Sequence, residues 1–458
     1  MATAPTSTPR DDLALLFRRA GFGARPADLD AALTVGFEGM VNRFVAGLTT
    51  TDAAAEAVAL PALDGPEALL AYRKTKAAQQ ATGGATAQQH KDFDVVRRRL
   101  NQQGHQAVLW WLDRMIVADQ PLAEKLAWFW HGHFATSVQK IKVPKLMVEQ
   151  LSVFREKGAG QWEALVQAAS QDPAMLIWLD ARQNVAAHPN ENFARELFEL
   201  FTLGIGHYTE ADVKESARAF TGWSLDAELH PSFRPQVHDG GMKTVLGTTG
   251  PLKGEDVIRL ATNHPGGDRF IASRMFSRFV RPITSDDPIA AELAGSFVSA
   301  DRSVAALLKA VLLHPELRTE AGRTGLVKQP VEWLAGSMRA LGLRPHPEDG
   351  GIVSALHAEG QVPFAPPSVG GWPANGAWLT SSAALARMQT AASLVAQPAA
   401  APALDAVSGA SAGDRVDAAA HLLSVSWSSA TAAALAGQAG NPKTLVAAAL
   451  SAPEYVLA

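Results

Sequence analysis

The chain has 458 residues, of which 47% are apolar and 19% charged, with a mean hydropathy of +0.00; it reads as soluble and globular, with ample material for a large core. Lys and Arg number 41 against 45 Asp and Glu, so nothing in the charge recommends a nucleic-acid partner. The lack of cysteine excludes disulfides, thiolate metal sites, iron–sulfur clusters and thioether-linked haem.

Helical periodicity dominates and strand alternation is scarce, which predicts a mainly α fold. The organisation expected is one large helical domain over residues 1–396 with a small β-hairpin insertion, a linker over 397–413, and an Ala-rich helical segment over 414–458. Near the start, Arg18-Arg19 superficially resembles a twin-arginine export signal. Arg25, Asp28, Asp30 and Glu38 then stand where an apolar stretch should follow, so the pair reads as the end of an amphipathic helix. A cytoplasmic chain is expected, with no membrane span, because no run of about 18 apolar residues occurs. Residues 79–91, QQATGGATAQQHK, read as a polar loop.

Pro121 suits the first turn of a helix, and Glu124, Trp128 and His131 follow on one face. His133 would lie about 200° round from His131 if that helix continued. Gly132 permits termination between them, which would bring both rings to one side and allow a shared metal. The alternative is one core histidine among aromatics and one solvated histidine at the helix end.

In residues 188–223, Asn190 is placed to cap a helix whose apolar face holds Phe193, Leu197, Leu200 and Phe201. Asn192, Arg195, Glu196 and Glu199 line its other side, as a solvated face or as part of a site. Leu203 continues that stripe, hinting that part of it is covered. Thr209 and Asp212 form a capping box for the next helix. In residues 233–247, Asp239-Gly240 between two β-prone runs predicts a tight hairpin, which offers His238, Asp239 and Lys243 near its tip. Four stretches, starting at Leu165, Val257, Leu307 and Leu445, carry two leading aliphatics and a proline eight residues on; each reads as a helix with an enforced stop. In residues 364–382, Trp372 and Trp378 either plug a loop onto the core or present an apolar platform to a ligand.

FWHGHFATS, NENFARELFELFTLGIGHYTEADVKESARAFTGW, HDGGMKTVLG, HPGGDRFIASRMFSRFV, VKQPVEWLAGSMRALG and PPSVGGWPANGAWLTSS occur in the order seen in a bacterial family catalogued as domain of unknown function 1800. The chain resembles that family from about Leu13 to Ala396. The resemblance implies a mostly helical protein, frequently exported by the twin-arginine route and often encoded beside a sulfatase-like protein. It maps the family's motif positions onto His131, His133, Asn192, Arg195, Glu196, His238, Asp239, Lys243, Trp372 and Trp378. Two departures are the missing export signal and Ser368, where the family's loop commonly has asparagine.

The expectation from these residues is a metal-dependent enzyme, a hydrolase ahead of an oxidoreductase. His131, His133 and His238 would bind zinc, manganese or non-haem iron. Glu196, Glu199 or Asp239 would act in catalysis, while Arg195, Lys243, Trp372 and Trp378 would hold substrate. Two rivals are a metal-free carbohydrate-active enzyme using paired carboxylates, and a non-enzymatic scaffold for the sulfatase-like partner.

Overall fold

Apolar residues at helical spacing bury most of the chain against one extended core. The computed structural model describes residues 7–80 and 85–457 and is 65% helical, with two antiparallel sheets of two strands each. The mainly α expectation holds. Of the loop expected over residues 79–91, residues 81–84 lie outside the described residues; the flanks are helical, Glu67–Gln79 before and Ala87–Val117 after. Among the described residues no helix is long and apolar enough to cross a membrane.

The four proline stops act in two directions. The helices Trp162–Gln171, Gly254–Thr262, Val304–Leu313 and Pro442–Leu450 each end two or three residues before the proline, and that proline opens the next helical turn. The residue before each proline is extended, with ψ of 136° at Asp172, 134° at His264, 131° at His314 and 148° at Ala452, as the ring clash demands. Three of these residues also cap the new helix by accepting backbone N–H groups. One sequence device thus turns the chain and restarts it.

The β elements are Trp223–Leu225 paired with Pro231–Phe233, and Lys243–Val245 paired with Thr248–Gly250. The hairpin turn falls at Leu246-Gly247, with φ of 47° and 78°, and not at Asp239-Gly240. Asp239 is committed elsewhere: its carboxylate accepts from Arg218 at 2.7 and 3.2 Å and from the Gly241 N–H at 2.9 Å, organising the loop between the sheets.

Residues 397–413, read as a linker, include the helix Ala401–Ser408, whose Leu404 and Val407 are buried in the same apolar cluster that holds Leu13 and Tyr455. The indole of Trp333 donates to the Leu450 carbonyl at 2.8 Å, fastening the C-terminal helices to that core. Trp111, Trp128, Trp130, Trp162 and Trp333 are among the largest fully buried side chains. Aromatic mass on this scale gives the central helices both burial and fixed orientation.

Candidate functional site

The helix Pro121–His133 is held by two adjacent charges of opposite sign. Glu124 accepts from the Trp111 indole at 2.9 Å, from Arg114 at 2.9 Å and from Arg155 at 2.7 Å. Burial would raise its pKa, but Arg155 and Arg114 overcome that and hold it low. Lys125 pairs with Glu332 and donates to the carbonyls of Gly21 and Arg18. Glu332 also takes Arg278, at 2.5 Å; burial works to raise its pKa, yet Arg278 and Lys125 bring it to about 2. The far end of this helix is therefore placed by buried ion pairs whose partners come from four separate helices.

Continuous helix through Gly132 keeps His131 and His133 on different sides of the axis, as two residues of regular helix dictate. His131 packs among Trp111, Trp128, Phe364 and Trp372, and its Nε2 accepts the Phe364 N–H at 2.9 Å. His133 packs among Phe129, Trp130, Phe134 and Trp162, and its Nε2 faces the Phe201 carbonyl at 2.9 Å, so that nitrogen carries the proton. Burial pushes both imidazoles down to about 3, leaving them neutral. His238 is occupied in another part of the fold, its Nδ1 lying 2.8 Å from the Thr221 carbonyl.

The expected zinc, manganese or iron site of His131, His133 and His238 is therefore corrected. Among the described residues no group of three or more His, Asp or Glu side chains is arranged to hold a metal ion. The physical reason is that the helix does not stop at Gly132, and each ring already spends a nitrogen on a backbone group.

The other sequence-selected residues disperse. Arg195 is clamped by Glu210, at 2.8 and 2.7 Å, and by Glu191 at 3.1 Å, which raises its pKa. Lys243 is buried and donates to the carbonyls of Asp239 at 2.5 Å and Gly241 at 2.9 Å. Trp378 is 3% exposed and packs with Val327 and Val456, presenting no open face. Glu196 and Glu199 straddle the point where the α-helix Asn192–Glu196 widens into the π-helix Leu197–Thr202. Burial first, and the Glu199 charge second, raise the Glu196 pKa, while the Tyr208 hydroxyl donates to Glu199 at 3.3 Å. Leu203 is fully buried, so that face is covered at its end.

Trp372, of the selected residues, faces a cavity. A cleft of about 140 Å³ lies over Gly132, floored by Trp128 and Trp372, whose rings are 5.0 Å apart at 31°. Its rim is the glycine loop before Trp372. Gly371 has a φ of 82°, and a Cβ there would lie 2.4 Å from the Gly132 carbonyl oxygen, so glycine alone lets the loop rest on the helix end. The opposite wall is the helix Pro265–Phe279, which contributes Arg274 and Arg278, four residues apart on one face.

These two arginines differ in their pairing. Arg278 is neutralised by Glu332. Arg274 has no carboxylate or hydrogen-bond acceptor among the described residues, and burial by its surroundings lowers its pKa. The residue is exposed where it lines the cleft. Gln329, which precedes the helix Pro330–Ala340 and also lines the cleft, accepts from Trp128 and Gln361 through its oxygen, at 2.8 and 3.0 Å. That fixes its amide orientation and leaves its nitrogen as a donor with no protein acceptor among the described residues. No carboxylate lines the cleft, so an unpaired cation and an amide donor face a flat apolar floor. Sequence reasoning missed both Arg274 and Gln329. The available signal was the pair of arginines four apart in RMFSR, but the sequence does not say which one finds a carboxylate.

No curated protein and no solved structure matches the chain. A family model does, over residues 15–457, and it joins the stretches that build this cleft, FWHGH, RMFSR, KQP and GGWP, into one match. The chain belongs to the family described as protein of unknown function (DUF1800).

Proposed function

We propose that this protein binds, without a metal, the oxyanionic end of a larger ligand in the cleft over Gly132. The single observation that supports this most is Arg274, a guanidinium with no counter-charge, at a cavity wall that holds no acid. Carboxylate, sulfate and phosphate all suit its planar donor fork, and the Gln329 amide adds a further donor. The cleft, at about 140 Å³, is below the common range of ~300–1,000 Å³ for whole-ligand pockets, so it takes a terminal group whose body extends from the mouth. Trp128 and Trp372 then contact the flat or apolar part next to the anion. The test is titration of the full chain with benzoate and with inorganic sulfate while following the thermal midpoint. Wild type should be stabilised and Arg274→Gln should not; equal stabilisation of the two sinks the reading.

A second reading, a metal-free carbohydrate-active enzyme, draws support from two carboxylates, Glu196 and Glu199, set one helical turn apart, with burial and the Glu199 charge raising the Glu196 pKa. It predicts that Glu196→Gln and Glu199→Gln each abolish any glycan hydrolysis found with wild type. Association with a sulfatase-like protein encoded nearby belongs to the same level of proposal. The exposed Leu379, Leu385 and Met388, following the Trp372 loop, supply an apolar strip for it, and affinity capture with Leu385→Glu as the control tests it.

A further inference from the structure

A second and larger cavity, of about 310 Å³, is lined in part by Phe364, whose ring centroid is 5.4 Å from that of His131. Its floor is Phe364, which stacks on Trp111 at 5.0 Å and whose N–H is held by His131; Trp372, in the cleft, is 5.3 Å from the same imidazole. His131 thus packs against one lining residue of each space, Phe364 here and Trp372 in the cleft.

The lining combines an apolar body with a one-sided charge. Leu100, Val108 and Phe364 supply apolar wall, while Arg97, His105, Lys142 and His357 also face the space. No acidic residue is among the described residues that line it. Arg97 is paired with Asp94 at 2.9 Å, but Lys142 meets no carboxylate among the described residues and rests 5.7 Å from the Tyr72 ring centroid. Burial lowers the pKa of the Lys142 ammonium, and the charge of another cation, Lys76, lowers it further. A cation repelled by its neighbour and left without an acid beside an apolar cavity is electrostatically unfinished.

Gly104 is the second, independent observation. It sits in the interior of the 31-residue helix Ala87–Val117, where glycine costs stability relative to alanine. Nothing in the fold requires it: its φ is not positive, and a Cβ would meet only Pro144 Cγ, at 3.8 Å. Gly104 and Pro144 both line the cavity, so the space a longer side chain would fill is the cavity itself. Lys142 and Phe364, also on the lining, hold positive φ angles of 70° and 65° despite being non-glycine residues. Lys142 is stabilised there as the C-cap of Val138–Ile141, and Phe364 by its bonds to His131 and to the Val138 N–H at 2.8 Å. The fold keeps these two strained residues at one wall.

We infer that this cavity binds a small organic carboxylate with an apolar body, its charge against Lys142 and its hydrocarbon against Leu100, Val108 and Phe364 over Gly104. The volume lies at the lower end of the range for small-molecule sites, and the lining has their usual character, mostly apolar with a few polar groups. The site is independent of the Arg274 cleft, and either can fail without the other.

Calorimetric titration of the full-length protein with octanoate tests it, with octanol and octylammonium as neutral and cationic counterparts of the same length. Saturable binding of octanoate is expected, with octanol and octylammonium weaker by about tenfold or more. Gly104→Leu should abolish octanoate binding without lowering the thermal midpoint, because leucine fills the cavity and favours the helix. Lys142→Met, which keeps the apolar stem, should weaken octanoate about tenfold and leave octanol unchanged. Octanol binding as well as octanoate, or undiminished octanoate binding to either variant, overturns the inference. Should Gly104→Leu prove less stable, the Lys142→Met comparison decides alone.

Discussion

Acid should destabilise this protein through His131 and His133, and the size of the effect follows from their burial. Each ring moves from an ordinary value of 6.5 to about 3 in the fold. Between those pH values the unfolded chain binds one more proton per ring than the folded chain does, so stability rises with pH there. The contribution is intact above 6.5 and is lost progressively as the pH falls from 6.5 towards 3. A step from about pH 7.5 to about pH 5 therefore removes about 2 kcal/mol per ring, about 4 kcal/mol for the two. Carboxylates add their own pH dependence, so the informative quantity is the difference between wild type and a variant. His131→Gln retains an acceptor for the Phe364 N–H and has nothing to protonate in this range. Urea unfolding of both proteins at the two pH values and one ionic strength gives four stabilities. The variant should be less stable at about pH 7.5, by about 1–3 kcal/mol from lost packing, yet lose about 2 kcal/mol less on acidification. Equal acid sensitivity of variant and wild type would refute the claim that His131 is held neutral by burial.

Glu332→Gln leaves the buried Lys125 and the half-buried Arg278 without their shared counter-charge, and should cost about 3–5 kcal/mol in chemical unfolding; a cost under about 1 kcal/mol would mean that the pairs are solvated. Gly371→Ala meets both a positive φ and the Gly132 carbonyl, and should lower stability by about 1–2 kcal/mol or more; an unchanged unfolding midpoint would show that the loop does not rest on the helix end. Arg274→Ala should stay within about 0.5 kcal/mol of wild type, whereas Arg278→Ala should cost more because it strips Glu332 of a partner; the reverse order would show that Arg274 has a structural partner. Zinc, manganese and ferrous ions should leave the thermal midpoint where it is, and a saturable rise would reopen the metal site.

The predominance of helix, the capping box of Thr209 and Asp212, the proline at the start of Pro121–His133 and the four proline stops follow from local chemistry, and each was legible in the sequence. Backbone sterics and side-chain caps act over a few residues, so short stretches suffice to specify them. The order of the family stretches was legible too. Whether Gly132 ends its helix was not, because glycine permits both outcomes and the choice rests on Trp111, Phe364 and Phe201 packing round the two imidazoles. The hairpin turn moved for a similar reason: Arg218, from a preceding helix, claims Asp239. Arg274 and Arg278 look alike in RMFSR, and only the arrival of Glu332 beside one of them makes the other an unpaired cation at a cleft. Local structure answers to nearest neighbours along the chain, whereas a site depends on which charges remain unpaired once distant helices have packed.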